Sequence, residues 1–488
     1  MTLFPQGKLY INGKLRSAAG EAKYEDIGPW TGEVIAYAAD ASAEDMDEAI
    51  ASARRAFDDT DWSRNAPLRR ELVKKFVDGL RAKRATLTEI ARHEVGAGLG
   101  SIALVQVDVP LDDIDMLFDI FDTIEWEKSM GDRVTWGVNS RRLMVKEAAG
   151  VVAVITPWNV PLYITMGKVL YGLLSGCTVI VKPAPETPLL TTIFGEVAAE
   201  IGFPPGVLNV VTGKDPAFLG EMLVDDKRVD VVSFTGSTGV GKRIMERGAA
   251  TLKRVALELG GKSAMILLDD APDFAEAVSQ SIICFHAGQG CTLPTRLLVP
   301  RSRYAEVLAS LEAAYAAYSE VWGIFDAPTN LMGPLISARQ RDRVMGYIES
   351  GKAQGARLLA GGNATSDKGA GFFVEPTCFV DVTNDMKIAR EEIFGPVLVV
   401  ITYEDEEDAI RIANDSDYGL FGAVCSGDPE RAMRVARRIR SGIFSINGGI
   451  AVAMDLPFGG YKQSGLGKEW GLEGFSEFLE TKVIAIAI

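Results

Sequence analysis

Histidine is nearly missing: two residues, His93 and His286, serve a chain of 488. Zinc chemistry and a Ser-His-Asp triad both need histidines beside other ligands or a nucleophile, so neither is expected, and no metal site is. Cysteine is sparse as well. Five cysteines with no regular spacing exclude a disulfide framework and fit a reducing, cytoplasmic setting. Positive charge is in deficit, with 51 Lys and Arg against 66 Asp and Glu, and no basic stripe follows an expected helix. Nucleic acid is therefore not an expected partner. No apolar run approaches the roughly 18 residues that span a bilayer, so no membrane partner is expected. The opening MTLFPQGKLYING also lacks the charged and apolar segments of a secretory signal.

The length exceeds what one core can use and suggests about two or three domains. The early part reads as helices. In SAEDMDEAIASARRAF, Met46, Ala49, Ile50, Ala53 and Phe57 recur at helical spacing behind a Ser42/Asp45 capping box. From residue 150 the pattern changes to nearly continuous apolar runs: VVAVITP, CTVIVKP, VLNVVTG and VDVVSFTG. Continuous rather than alternating runs suit a parallel sheet covered on both faces, a doubly wound α/β domain whose ligands bind beyond the carboxyl ends of the strands. A second series follows in TRLLVP, TCFVDV, GPVLVVITY and GIFSING. Residues 132–150 alternate like a hairpin, and the chain finishes on KVIAIAI. Such a final strand either forms an internal edge or pairs with a second subunit; the second is the expectation.

Cys177, Cys284, Cys378 and Cys425 sit in apolar runs and read as buried, inert thiols. Cys291 differs, because it lies in GQGCT between small residues. Four segments that follow expected strands add to it: TPWN (156–159), KPAPETP (182–188), FTGSTGVGK (234–242) and LELGGK (257–262). They bring an amide, an ammonium, bare backbone and a carboxylate to one rim of the sheet.

With EEIFGPV (391–397) and PFGGYKQSGLGKEWG (457–471), in this order, the set closely resembles the aldehyde dehydrogenase superfamily, over essentially the whole chain. The resemblance implies an α/β architecture with a Rossmann-like doubly wound cofactor domain from residues 1–125 and 149–260. It adds an α/β catalytic domain (261–463) and a small β oligomerisation arm (130–148 and 477–488) in a homodimer or homotetramer. The implied substrate is an aldehyde, oxidised to the acid.

By similarity Cys291 is the nucleophile. A thiolate supplies the tetrahedral adduct from which hydride can leave, and Gly288 and Gly290 are read as letting ligands reach the sulfur from both sides. Asn159, with the Cys291 backbone N–H, matches the oxyanion hole. Glu258 matches the base that hydrolyses the thioester, and its apolar strand implies a raised pKa. Members that pass the acyl group to coenzyme A generally lack this glutamate, so hydrolysis is expected.

The cofactor residues carried over are Thr156, Pro157, Trp158, Lys182, Gly236, Ser237, Leu259, Glu392 and Phe394. Gly236 and Ser237 open a helix N-terminus towards the pyrophosphate. One departure stands out: many NAD-preferring members place a glutamate where this chain has Pro185, with Glu186 next to it. NAD is the expected cofactor, and NADP stays open.

The implied aldehyde tunnel is lined by Val160, Gly167, Thr292, Val452 and Phe458. Several members carry aromatic rings at the first, second and fourth of these places. Small residues imply a wider apolar tunnel and a bulky hydrophobic substrate, whether aromatic, terpenoid or medium-chain aliphatic. Rival readings are a P-loop NTPase, a cysteine hydrolase and a catalytically silent family member. GSTGVGK fits the first seven P-loop positions, but Arg243 stands where Ser or Thr is needed. On a helix His286 and Cys291 point about 140° apart, so His286 is read as an ordinary half-buried residue.

Overall fold

The computed structural model describes residues 2–272, 278 and 285–488; Cys284 lies outside these. The four apolar runs form strands Val151–Ile155, Thr178–Lys182, Leu208–Val210 and Val231–Thr235, joined by Arg254–Glu258 in one parallel array. Antiparallel strands extend it to eight: Gly465–Leu466 on one side, Leu9–Ile11 and Lys14–Arg16 on the other. The helices expected at 42–57 and 68–80 are present as Ala43–Asp59 and Ala66–Ala82, and the short strands before them were not anticipated. These β segments are too brief for a clear period, and pairing with the sheet decides the outcome.

Helices cover both faces. The Pro161–Ser175 helix starts on proline, where the missing N–H is unneeded, and ends at Gly176 with φ 97°, which only glycine adopts easily. The Ala43–Asp59 helix opens on the Ser42/Asp45 capping box.

A second, seven-stranded sheet has the order Arg357–Ala360, Thr377–Val380, Val397–Tyr403, Arg296–Pro300, Ala264–Leu267, Phe421–Cys425, Ile443–Ile446. All its pairings are parallel except the first. Two contributors, AMIL and FGAVC, had no distinct signal among neighbouring apolar runs.

The third sheet joins Glu127–Thr135, Val138–Ala148 and Leu479–Ala487, all antiparallel. Trp136 and Gly137, both with positive φ, make the two-residue hairpin turn between the first two. The C-terminal strand runs beside Val138–Ala148 within the chain, Leu479 opposite Ala148 and Ala487 opposite Ser140. One of its edges is therefore internal, and the other is the outer edge of this sheet.

Candidate active site

The parallel register puts Ile155 beside Lys182 and Thr235 beside Glu258, so the strand ends share one rim. A cavity of about 440 Å³ lies there, lined by Cys291, Glu258, Asn159, Leu259, Glu392 and Phe394 among others. A second, of about 410 Å³, is lined by Thr156, Lys182, Pro185 and Glu186. The two share Pro157, Trp158, Gly236 and Ser237, and so form one groove.

Cys291 is half-buried at one end of this groove. Burial pushes its thiol well above the ordinary range, and the charges of Glu258 and Glu392 push the same way, so the sulfur is protonated without ligands. The thiol also interacts directly with the Glu258 carboxyl. Glu258 is buried, and burial first, then the charge of Glu469, raises its pKa, with Lys168 opposing. One of its oxygens, Oε1, has no protein partner. A carboxylate in this setting is a base that stands beside the sulfur, where an attacking water would have to pass.

Asn159 is buried, and its Nδ2 donates to the Gln289 carbonyl at 2.9 Å. A carboxamide has two N–H bonds, so the amide is fixed by one and offers the other. The Asn159 carbonyl accepts from Gln106 Nε2 at 2.8 Å, which fixes the loop from the other side.

The glycines around the cysteine also answer to packing. A Cβ on Gly288 would stand 2.0 Å from the Gly395 carbonyl oxygen, and one on Gly290 would meet Leu293 at 2.9 Å. Their bareness lets the loop pack on its own protein neighbours. His286 is corrected. It is fully buried, not half-buried, and burial pushes its pKa down to about 4, so it stays neutral. It lies in an irregular turn with φ 47°, not on an α-helix.

Five groups escaped the sequence reading: Lys168, Glu469, Thr235, Gln289 and Trp470. Lys168 is buried and donates to Ser233 Oγ at 3.0 Å and, very closely, to Glu469. Thr235 Oγ1 donates to the same Glu469 oxygen at 3.3 Å, which completes a polar chain beside Glu258. Gln289 is buried and ties the cysteine loop to Ile336 N and to the His286 carbonyl. Trp470 is buried with its ring over Gly167. A lysine inside an otherwise apolar helix was the one available signal, since a buried lysine needs a partner.

On the cofactor side, Glu392 Oε1 accepts from the Gly261 N–H at 2.9 Å, and a Cβ on Gly260 would stand 2.4 Å from Glu392 Oε2. Phe394 packs edge-on against Trp158 at 5.4 Å. Lys182 is buried at the other end, its ammonium donating to the Pro183 carbonyl at 3.0 Å, and burial lowers its pKa to about 8. Ser237 caps the Thr238–Gly248 helix. Lys242 of the P-loop-like run donates instead to Gln463 Oε1 at 2.8 Å, which ties it to the 457–471 segment.

Val160, Gly167, Thr292, Val452 and Phe458 line neither half of the groove. Val160 and Val452 pack, with Cys291, on a core that holds Tyr163, Phe458 and Trp470. Trp470 stacks on Tyr163 and on Phe458, each at 4.8 Å between ring centres. A Cβ on Gly167 would lie 2.2 Å from Trp470 Nε1, so Gly167 makes room for an indole and does not widen a tunnel. The described residues hold no cluster fit for a metal ion.

The model of the aldehyde dehydrogenase family matches residues 16–484. A 3-succinoylsemialdehyde-pyridine dehydrogenase from a Pseudomonas species is 41% identical over 98% of both chains. Among solved structures, a cysteine-to-alanine variant of aldehyde dehydrogenase C from Pseudomonas syringae, complexed with NAD+ and octanal, is 38% identical. It matches 98% of this chain and 96% of its own with a TM-score of 0.90. An aldehyde dehydrogenase from Mycobacterium tuberculosis complexed with NAD+ is 39% identical, matching 99% of each chain with a TM-score of 0.93.

Proposed function

We propose, from the premise that this chain belongs to the aldehyde dehydrogenase family, that it oxidises neutral, bulky apolar aldehydes to carboxylic acids with NAD+. The observation that carries the reading is the convergence of Cys291, Glu258 and Asn159 at one end of a groove whose other end holds Lys182. The groove fits a dinucleotide. The buried Lys182 ammonium has one protein acceptor and two further donors, the helix that Ser237 caps faces the groove, and Glu392 offers a carboxylate beside Cys291.

Each step then follows from the chain's own groups. The thiol proton of Cys291 leaves to solvent as the sulfur adds to the aldehyde carbon, and the Glu258 carboxylate is kept for the second half of the reaction. The resulting oxyanion receives the free Asn159 N–H and the Cys291 backbone N–H. Bound NAD+ supplies the acceptor for the hydride that leaves the tetrahedral carbon, so that a thioester remains on Cys291. Glu258 next takes a proton from water as that water attacks the thioester, and the acid departs. Glu469, held by the Lys168 ammonium, stands beside Glu258 as the next carboxylate to which that proton can move.

For the substrate, the five residues assigned to the aldehyde side include no cation, and Val160 and Val452 pack with Cys291 against the apolar core that holds the three stacked rings. Burial, and after it the charges of Asp113 and Asp455, raise the pKa of the Tyr163 hydroxyl, so two carboxylates stand near this side and disfavour an aldehyde that carries a third. The complex of the Pseudomonas syringae relative with octanal fits an apolar chain. An aldehyde panel followed at 340 nm tests the reading: octanal and aromatic aldehydes should lead in kcat/KM, and acetaldehyde or succinic semialdehyde clearly ahead would contradict it.

We also place assembly, as a homodimer or homotetramer, on the arm. Its outer strand exposes Val483, Ile484 and Ile486 along an unpaired edge. Removal of residues 483–488 should weaken the oligomer, and an unchanged sedimentation profile would refute this. Absence of any disulfide among the described residues fits a reducing cytoplasm, and no helix there is long and apolar enough to cross a membrane.

A further inference from the structure

We infer that Gln106 is a positioning residue for the oxyanion amide: its side chain pins the main chain of Asn159 and so fixes where the free Asn159 N–H points. This rests on the reading of Asn159 as an oxyanion donor. Asn159 stands on a bend between the strand Val151–Ile155 and the helix Pro161–Ser175, outside the hydrogen bonds of both. The helix leaves its carbonyl unused, because the Ile164 N–H bonds to the Val160 carbonyl instead. A buried carbonyl needs a donor. Gln106 Nε2 supplies one at 2.8 Å, from a fully buried side chain 53 residues away in the chain. The neutral His286 ring lies beside the same main chain, but its Nε2 has no partner.

Two glutamines therefore hold one asparagine. Gln289, itself fixed by Ile336 N and the His286 carbonyl, accepts from Asn159 Nδ2 and ties that side chain to the loop of Cys291. Gln106 fixes the main chain from which the same side chain springs. The place calls for an amide. Its acceptor is a carbonyl, so the holder must donate, which neither a carboxylate nor an apolar side chain can do. Gln106 also closes the π-helical turn Ile102–Gln106, an irregularity of the kind that recurs at functional sites. The other atom of its amide, Oε1, is buried without a donor, which is costly inside a protein. A residue chosen for packing alone would not carry that cost; one chosen for its single bond to Asn159 does.

Single-turnover formation of NADH at 340 nm, with octanal in excess, reads the step in which the oxyanion forms. Gln106→Met keeps the length of the side chain and removes its N–H. It should slow that step by about 10–100-fold, since a misplaced donor forfeits part of the roughly 10²–10³ that one oxyanion contact supplies. In the Asn159→Ala background the same substitution should cost less than about twofold, because no amide remains to be positioned. A side chain that only supports the fold would slow both backgrounds alike. Gln106→Glu carries the test if the methionine variant does not fold. Its carboxyl donates only while protonated, so its rate relative to wild type should fall as pH rises. Wild-type speed in Gln106→Met, equal loss in both backgrounds, or a relative rate of Gln106→Glu that ignores pH would overturn the inference and leave the reading of Asn159 intact. Wild-type speed in Asn159→Ala would overturn both.

Discussion

Glu258→Gln keeps the size and hydrogen-bonding shape of the side chain while removing the base. The two half-reactions respond in opposite ways. Burial and the charge of Glu469 lift the Glu258 carboxyl well above its ordinary range, which makes it a usable base towards water. General-base assistance of this kind contributes roughly 10²–10⁴-fold, so deacylation should slow by about that factor. The thiol gains. Both the charge of Glu258 and its direct interaction with the sulfur raise the Cys291 pKa, and the neutral amide removes both. Ionisation of Cys291 thus becomes easier, and the first turnover survives. Stopped-flow absorbance at 340 nm should show a burst of one NADH per site, followed by a slope reduced by about 10²–10⁴-fold. The pH profile adds a second reading. With its pKa raised, Glu258 is an active base only above that raised value, so wild-type kcat falls as pH drops through it. The variant's residual rate should lack that limb. Steady turnover at the wild-type rate, or loss of the burst itself, would refute the reasoning.

Asn159→Ala removes one oxyanion donor and should lower kcat by roughly 10²–10³-fold with NADH binding retained; loss of NADH binding would show that the residue serves the fold instead. Lys262→Met should leave the thermal midpoint unchanged or raise it. The Lys262 ammonium is buried with no partner, and burial pushes its pKa down to about 7. A drop of several degrees would mean that the ammonium is bonded. The pKa of buried His286 is pushed below its unfolded value, so it favours the fold above about pH 6.5 and loses that contribution as pH falls towards 4, by roughly 3 kcal/mol. Urea midpoints of His286→Gln should therefore fall less steeply over that range than those of the wild type, and equal slopes would contradict the assignment.

The parallel array was legible because its runs are apolar throughout, as strands covered on both faces must be. The capping box at Ser42 was legible because it is local, needing two side chains three residues apart. Local signals fail where contacts are distant. Lys168 and Glu469 are 301 residues apart, and nothing in MGKVLYG or GKEWG announces that they meet. Gly167 misled for a similar reason. A small residue in sequence implies space, yet here a tryptophan from another segment takes that space. Gly288 and Gly290 were rightly singled out, but backbone packing demands them, and that demand depends on Gly395 and Leu293 being placed nearby. Leu9–Ile11 and Lys14–Arg16 carry too few residues to show a period, and only their neighbours in the sheet make them strands.

The central claim is that the sulfur of Cys291 becomes covalently bound to the substrate's carbonyl carbon. Rapid acid quench of the wild-type protein with octanal and NAD+, followed by peptide mass mapping, tests it most directly. An octanoyl mass on the peptide that contains Cys291, formed only when NAD+ is present, is the expected result. Full turnover with no acyl group on that cysteine, or with the group on Cys177, Cys378 or Cys425 instead, would contradict it.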